Sequence, residues 1–202
     1  MKIVSKNFYL EYIKLLTKHL YALDLKKIEK IKSIILKKIK LKKNIFICGN
    51  GGSAAIANHF LCDFNKGIKE SSNKLLKPRI ISLSNSIESI TAISNDINYE
   101  TIFTNQFENY VNKGDLLVLI SCSGSSKNIK HIENFAIKKK IETIKLNGFL
   151  NKEKAKKKQI VLNINIKNYG ICEDIFQSIM HMISQEIRSN YHKKFSFKKY
   201  IL

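Results

Sequence analysis

The chain has 202 residues, 44% of them hydrophobic and 26% charged. These values are ordinary for a soluble globular protein and leave room for one α/β domain with a sizeable core, but little for two. Lys+Arg 36 against Asp+Glu 16 gives a net charge of +20, which ordinarily points to nucleic acid or an acidic surface. Here the excess is mostly lysine, spread through an Asn- and Ile-rich chain without interleaved exposed aromatics or an arginine-rich arm. A solvated surface is therefore expected, with no specific nucleic-acid partner. No apolar run approaches a membrane span, and the first 25 residues show no signal-peptide core, so no membrane partner is expected. The four cysteines, at 48, 62, 122 and 172, form no C-x-x-C pair and fit reduced thiols in a cytoplasmic protein. A single domain over 1–202 is expected, with N-terminal helices in 1–42, an α/β core in 43–191 and a basic tail in 192–202.

Apolar residues recur at helical spacing from Asn7 to Leu23 and again from Leu25 to Ile39, predicting two helices before the first strand. Their apolar faces are wide, which leaves open core packing or packing between subunits. Ile45-Phe46-Ile47-Cys48 then reads as a buried strand that ends in Gly49-Asn50-Gly51-Gly52-Ser53 and hands over to a small-residue helix. Glycines allow backbone to approach a ligand, and the helix N-terminus offers free N–H groups suited to an anion. The pattern is neither Walker A nor the dinucleotide fingerprint. His59 and Asp63, four residues apart, share one face of this helix, and Asn65-Lys66-Gly67 reads as its stop.

Arg79 to Leu83 is the second strand, after a polar loop through Pro78. A short helix from Ile87 to Ile93 ends in Ser94-Asn95-Asp96, and a further helix runs from Tyr99 to Tyr110. Asp115 to Ile120 is the most strand-like run of the chain. It ends in Ser121-Cys122-Ser123-Gly124-Ser125-Ser126, just before a helix over Ile129–Lys139. Serines there serve as helix caps or hold a phosphate at the carboxyl end of a buried strand. Strand Ile141–Leu146, a solvated helix at 151–158, an edge strand Gln159–Ile166 and a helix Cys172–Tyr191 complete the chain. Strands alternating with helices predict a three-layer α/β/α sandwich on a parallel sheet, flavodoxin-like in plan.

With both turns in view, the chain resembles the phosphoheptose isomerase family of SIS (sugar isomerase) domains. Gly49-Asn50-Gly51-Gly52-Ser53 through His59 resembles that family's G-N-G-G-S…H-F…E, Ser94-Asn95-Asp96 its G-N-D, and Ile120 to Ser126 its I-S-T-S-G-N-S. The stretch from Cys172-Glu173-Asp174 to His181 is similar to its Q-E…H. The resemblance implies isomerisation of sedoheptulose 7-phosphate to D-glycero-D-manno-heptose 7-phosphate, an early step toward surface heptoses. It also implies a homotetramer with active sites at subunit contacts and one zinc ion per subunit. Carried onto this chain, the metal ligands are His59, Asp63, Glu173 and His181, with Asp63 and His181 as the proton-transfer groups. Substrate contacts fall on Asn50, Gly51, Gly52, Ser53, Asp63, Asn95, Asp96, Ser121, Cys122, Ser123, Ser126 and Glu173. Asp63 stands where the family has Glu, Cys122 where Thr is usual, Glu173 where Gln is usual, and Gly170 where an Asp is usual.

Aldose–ketose isomerisation needs a base for the proton beside the carbonyl, stabilisation of the enediolate and an acid to return the proton; Asp63 and His181 are residues of the right type. On spacing alone His181 reads as a core histidine and His59 with Asp63 as a surface helix pair, and the resemblance reverses both readings. His131 and His192 read as structural. The alternative in another class is a non-catalytic SIS binding protein, associating with a replication initiator or sensing a sugar phosphate; His59, Asp63 and His181 together argue against it.

Overall fold

In the computed structural model, described for residues 7–149 and 155–191, five parallel strands form one sheet in the order β2-β1-β3-β4-β5. The strands are β1 (Ile45–Cys48), β2 (Ile80–Ser82), β3 (Leu116–Ser121), β4 (Glu142–Asn147) and β5 (Gln159–Asn163). Every residue of β1 and β3 is buried, as expected of central strands covered on both faces. Their side chains alternate between two cores. Ile45, Ile47, Leu116, Val118 and Ile120 face one cluster, and Phe46, Cys48, Leu117 and Leu119 the other.

The first cluster is closed by α2 (Leu25–Lys40), α3 (Gly52–Cys62) and the long α8 (Tyr169–Ser189), which alone buries Ile171, Ile175, Phe176, Ile179, Met180, Ile183 and Ile187. The second is closed by α6 (Ile102–Tyr110) and α7 (Lys127–Lys138), with Ile90 and Ile93 of α5 (Ile87–Asp96) packed at its margin. A three-residue 3-10 turn, Tyr99–Thr101, opens α6. Helix α1 (Asn7–Tyr21) buries none of its residues. It leans on α8, where the Tyr12 hydroxyl donates to Asp174 Oδ2 at 2.6 Å, and leaves Phe8, Tyr9, Leu10 and Ile13 more than half exposed.

The structure corrects the expected helix stop at Asn65-Lys66-Gly67. The chain stays helical through a wider π turn, Asp63–Ile68, and a last short turn, α4 (Lys69–Ser71). Asn65 does not end the helix because its amide is used elsewhere: it accepts from Ile80 N and donates to Ile80 O, both at 3.0 Å, fastening edge strand β2 to the turn. Helix α5 keeps Asn95 and Asp96 within it, and α8 starts three residues before the expected Cys172, capped by Asn168 Oδ1 on Ile171 N. The expected helix at 151–158 lies partly outside the described residues, and its end, Lys157 and Lys158, is a turn. The basic tail 192–202 lies outside them too. Inside the sheet, Lys145 of β4 is fully buried and meets Glu133 of α7 at 2.7 Å, with Gln159 Nε2 donating to the same carboxylate.

Candidate active site

In the observed strand order the chain leaves β1 and β3 toward opposite faces of the sheet, so a crevice opens beyond their carboxyl ends. Both Gly-rich and Ser-rich turns lie there. They line a cleft of about 350 Å³ with Asn50, Gly51, Gly52, Ser53, Ser121, Cys122, Ser123, Ser126, Tyr169 and Glu173 among its walls. Gly51, at φ 53 and ψ −125, adopts backbone closed to residues with a Cβ, which makes this turn possible. The two turns are tied to one another by a reciprocal amide pair, Asn50 Nδ2 to Asn128 Oδ1 and Asn128 Nδ2 to Asn50 Oδ1, each 2.9 Å. The Tyr99 hydroxyl adds a donor to Asn50 Oδ1 at 3.1 Å. Asn50 is therefore engaged in holding the crevice together.

The two helix N-termini that face the cleft differ. At α3 the Glu173 carboxylate already lies so close that a Cβ on Gly52 would collide with it, a placement that the partial positive charge of the helix start favours. At α7 no carboxylate lines the cleft. Ser121 Oγ accepts from Gly124 N at 3.0 Å and Ser123 Oγ from Ser125 N at 3.2 Å, shaping the turn. Ser126 stands at the N-cap of α7 yet makes no side-chain capping bond. Cys122 is a neutral thiol at pH 7, since contact with the Cys172 sulfur and burial push it up; its Sγ lies 3.9 Å from both Ser53 Oγ and Glu173 Oε1.

Further along the same two helices is a second constellation. His59 and His181 bring their Nε2 atoms to 3.0 Å, His59 Nε2 is 3.5 Å from Asp63 Oδ1, and His181 Nε2 is 3.7 Å from Asp63 Oδ2. Ser184 Oγ donates to Asp63 Oδ2 at 3.4 Å. Burial holds the His181 imidazole below its ordinary value, the Asp63 charge working against this and His59 with it, so the ring is neutral at pH 7 with a lone pair to offer. One donor atom from each of His59, Asp63 and His181 falls within 4.8 Å of the others. Ligands of a tetrahedral zinc at about 2.0–2.1 Å stand roughly 3.3 Å from one another, so these three residues fit such an ion.

Glu173 does not join this cluster; it belongs to the cleft. Asn95 and Asp96 lie on exposed α5, bonded to each other at 2.8 Å, and line neither place. His131 keeps a structural part, with Thr104 Oγ1 2.8 Å from its Nδ1. Sequence reasoning missed Tyr169 on the cleft, Asn128 as the partner of Asn50, and Gln177, whose amide reaches His181 Nε2 at 2.9 Å. Gln177 carried a signal, since it precedes His181 by four residues and shares its helix face.

The SIS domain family profile matches residues 8–148. A phosphoheptose isomerase of Campylobacter concisus is 39% identical over 110 residues, which is 54% of this chain and 57% of that protein, so the chain spans less than two thirds of its length. A probable phosphoheptose isomerase of Thermoplasma volcanium is 30% identical over 90% of this chain and 91% of its own. The solved phosphoheptose isomerase of Francisella tularensis superposes with a TM-score of 0.80 at 22% identity, covering 91% of this chain and 95% of that one, a likeness of fold. The chain belongs to the SIS domain family, among relatives named phosphoheptose isomerase.

Proposed function

We propose that the chain is a sugar-phosphate aldose–ketose isomerase that converts sedoheptulose 7-phosphate to D-glycero-D-manno-heptose 7-phosphate, feeding surface-heptose synthesis. The observation that carries the reading is the pairing of an anion-suited cleft with a His–Asp–His cluster on the same two helices. The substrate phosphate sits at the α7 end of the cleft, on Ser121, Ser123, Ser126 and the free N–H groups there, because Glu173 already occupies the α3 end with negative charge. The Asp63 carboxylate takes the proton from the carbon beside the carbonyl and passes it to the neutral His181 imidazole 3.7 Å away, which returns it to the neighbouring carbon and leaves both groups as they began. A zinc ion held by His59, Asp63 and His181, one per subunit, would supply electrophilic stabilisation of the enediolate oxygens.

His59 stands six positions after Ser53, about 9 Å along the helix. One chain therefore holds the phosphate pocket and the proton-transfer groups at some distance, and a homotetramer whose subunits complete each other's sites is the assembly proposed. The exposed Phe8, Tyr9, Leu10 and Ile13 of α1 support such packing. The cysteines are free thiols, which suits a cytoplasmic protein. Among the described residues no helix is long and apolar enough to cross a membrane.

Incubating the purified protein with sedoheptulose 7-phosphate and following the sugar carbons by NMR tests the reading. Appearance of the aldose supports it. Binding without any aldose would leave a sugar-phosphate-binding SIS protein in its place.

A further inference from the structure

The cluster between α3 and α8 holds one more polar group than the motif supplies. Gln177 lies one turn before His181, and its amide tip is 2.9 Å from His181 Nε2, which in turn is 3.0 Å from His59 Nε2. Two imidazole Nε2 atoms that face each other so closely share at most one proton between them when neutral. A third polar atom converging on the same point adds to the crowding of donors and lone pairs. A cation at the point shared by His59, Asp63 and His181 would relieve it, and the Gln177 amide stands beside one of the three donor atoms. The oxygen and nitrogen of a glutamine amide are assigned from their surroundings, and a half-turn of the amide presents Oε1 to the same point.

Glu173 is eight residues before His181, roughly 12 Å along α8, and its carboxylate is held against the start of α3 beside Cys122. Reaching the His–Asp–His cluster would mean leaving that favourable helix end.

We propose that Gln177, through its amide oxygen, is the fourth ligand of a first-row divalent cation bound by His59, Asp63 and His181, and that Glu173 belongs to the substrate side. This rests on the reading of the cluster as a metal centre. Two imidazoles, one carboxylate and one neutral amide leave a zinc-type ion with a net positive charge, so it keeps more Lewis acidity than a second carboxylate would allow. Glu173 is then free to accept hydrogen bonds from sugar hydroxyls in the cleft.

The test is metal affinity and ligand field, independent of turnover. Metal-free protein is titrated with Zn(II) in competition with a chromophoric chelator, for the parent, Gln177→Leu, Gln177→Glu and Glu173→Gln, after circular dichroism has shown each to be folded. Gln177→Leu is expected to bind at least about 10–100-fold more weakly, a loss typical even of groups that only support a ligand. Gln177→Glu should bind at least as tightly as the parent, and Glu173→Gln should match it. With Co(II) in place of zinc, the ligand-field bands should shift in Gln177→Leu and stay in Glu173→Gln. That shift separates a ligand from a residue that merely orients His181. Unchanged bands or affinity in Gln177→Leu, or a loss confined to Glu173→Gln, would overturn the assignment alone. A parent that binds neither Zn(II) nor Co(II) would overturn the metal reading with it.

Discussion

Replacing Ser126 by alanine separates the two roles open to a serine at the start of a helix. A side chain that caps its helix is worth about 1 kcal/mol of stability, but the Ser126 hydroxyl makes no such bond in α7. Its removal should therefore leave the urea midpoint almost where it was. If the hydroxyl binds the substrate phosphate, its loss removes a hydrogen bond to a charged group, about 1.5–3 kcal/mol, which is a weakening of roughly 10- to 150-fold in Kd. Ser121→Ala is the contrast. Its Oγ accepts from Gly124 N, where the backbone turns at φ 65, so this variant should lose both affinity and about 1 kcal/mol of stability. Calorimetric titration with sedoheptulose 7-phosphate, beside urea unfolding of the same samples, reads both effects. A Ser126→Ala protein that is less stable by a cap's worth and binds as tightly as the parent would refute the assignment of this loop to phosphate.

Gly49→Ala should cost about 1–3 kcal/mol by overpacking, since its Cβ would fall 2.7 Å from the backbone carbonyl of Ser53; an unaltered urea midpoint would show that the turn yields freely. Glu133→Leu removes a buried carboxylate that accepts from both Lys145 and Gln159 and should destabilise by about 1–3 kcal/mol, read by thermal unfolding, and an unchanged midpoint would contradict the burial argument. Mixing inactive Ser123→Ala/Ser126→Ala subunits with inactive His181→Ala subunits, after dissociation and reassociation, should restore part of the isomerase activity if neighbouring subunits share sites. No recovery in demonstrably mixed oligomers would place each site within one chain. Nucleic-acid affinity should be independent of sequence and fade steeply between about 50 and 200 mM salt, and sequence-selective binding that survives the higher salt would contradict a merely solvated lysine surface.

The parallel sheet was legible because its strands are buried on both faces. Leu116 to Ile120 form an unbroken apolar run ending in serines, a pattern that a half-exposed strand would not show. The boundary at Asn65-Lys66-Gly67 was misread for an equally physical reason. Asn and Gly end helices when nothing else claims them. Here a strand that lies fifteen residues downstream claims the Asn65 amide, and Gly67 packs beside the Arg188 guanidinium. Both partners are remote in sequence, so no local rule could weigh them. The π turn begins at Asp63, a residue of the cluster, as such turns often do beside functional groups.

The site divides along the same line. His59 and Asp63 could be paired from sequence, because an i,i+4 spacing fixes their relation on any helix. Which residues of α8 meet them depends on how far that helix slides along α3, and this is set by packing rather than by either helix's own pattern. Phe60 and Phe64, whose rings stack at 3.9 Å, are buried in one cluster with Phe176, Met180 and Ile183. That packing brings Gln177 and His181 level with His59 and leaves Glu173 level with Gly52. Since an α-helix rises about 1.5 Å per residue, a slide of one turn would exchange their partners. The register between these two helices, more than the identity of any one ligand, therefore decides which acidic or amide group serves the cluster and which serves the cleft.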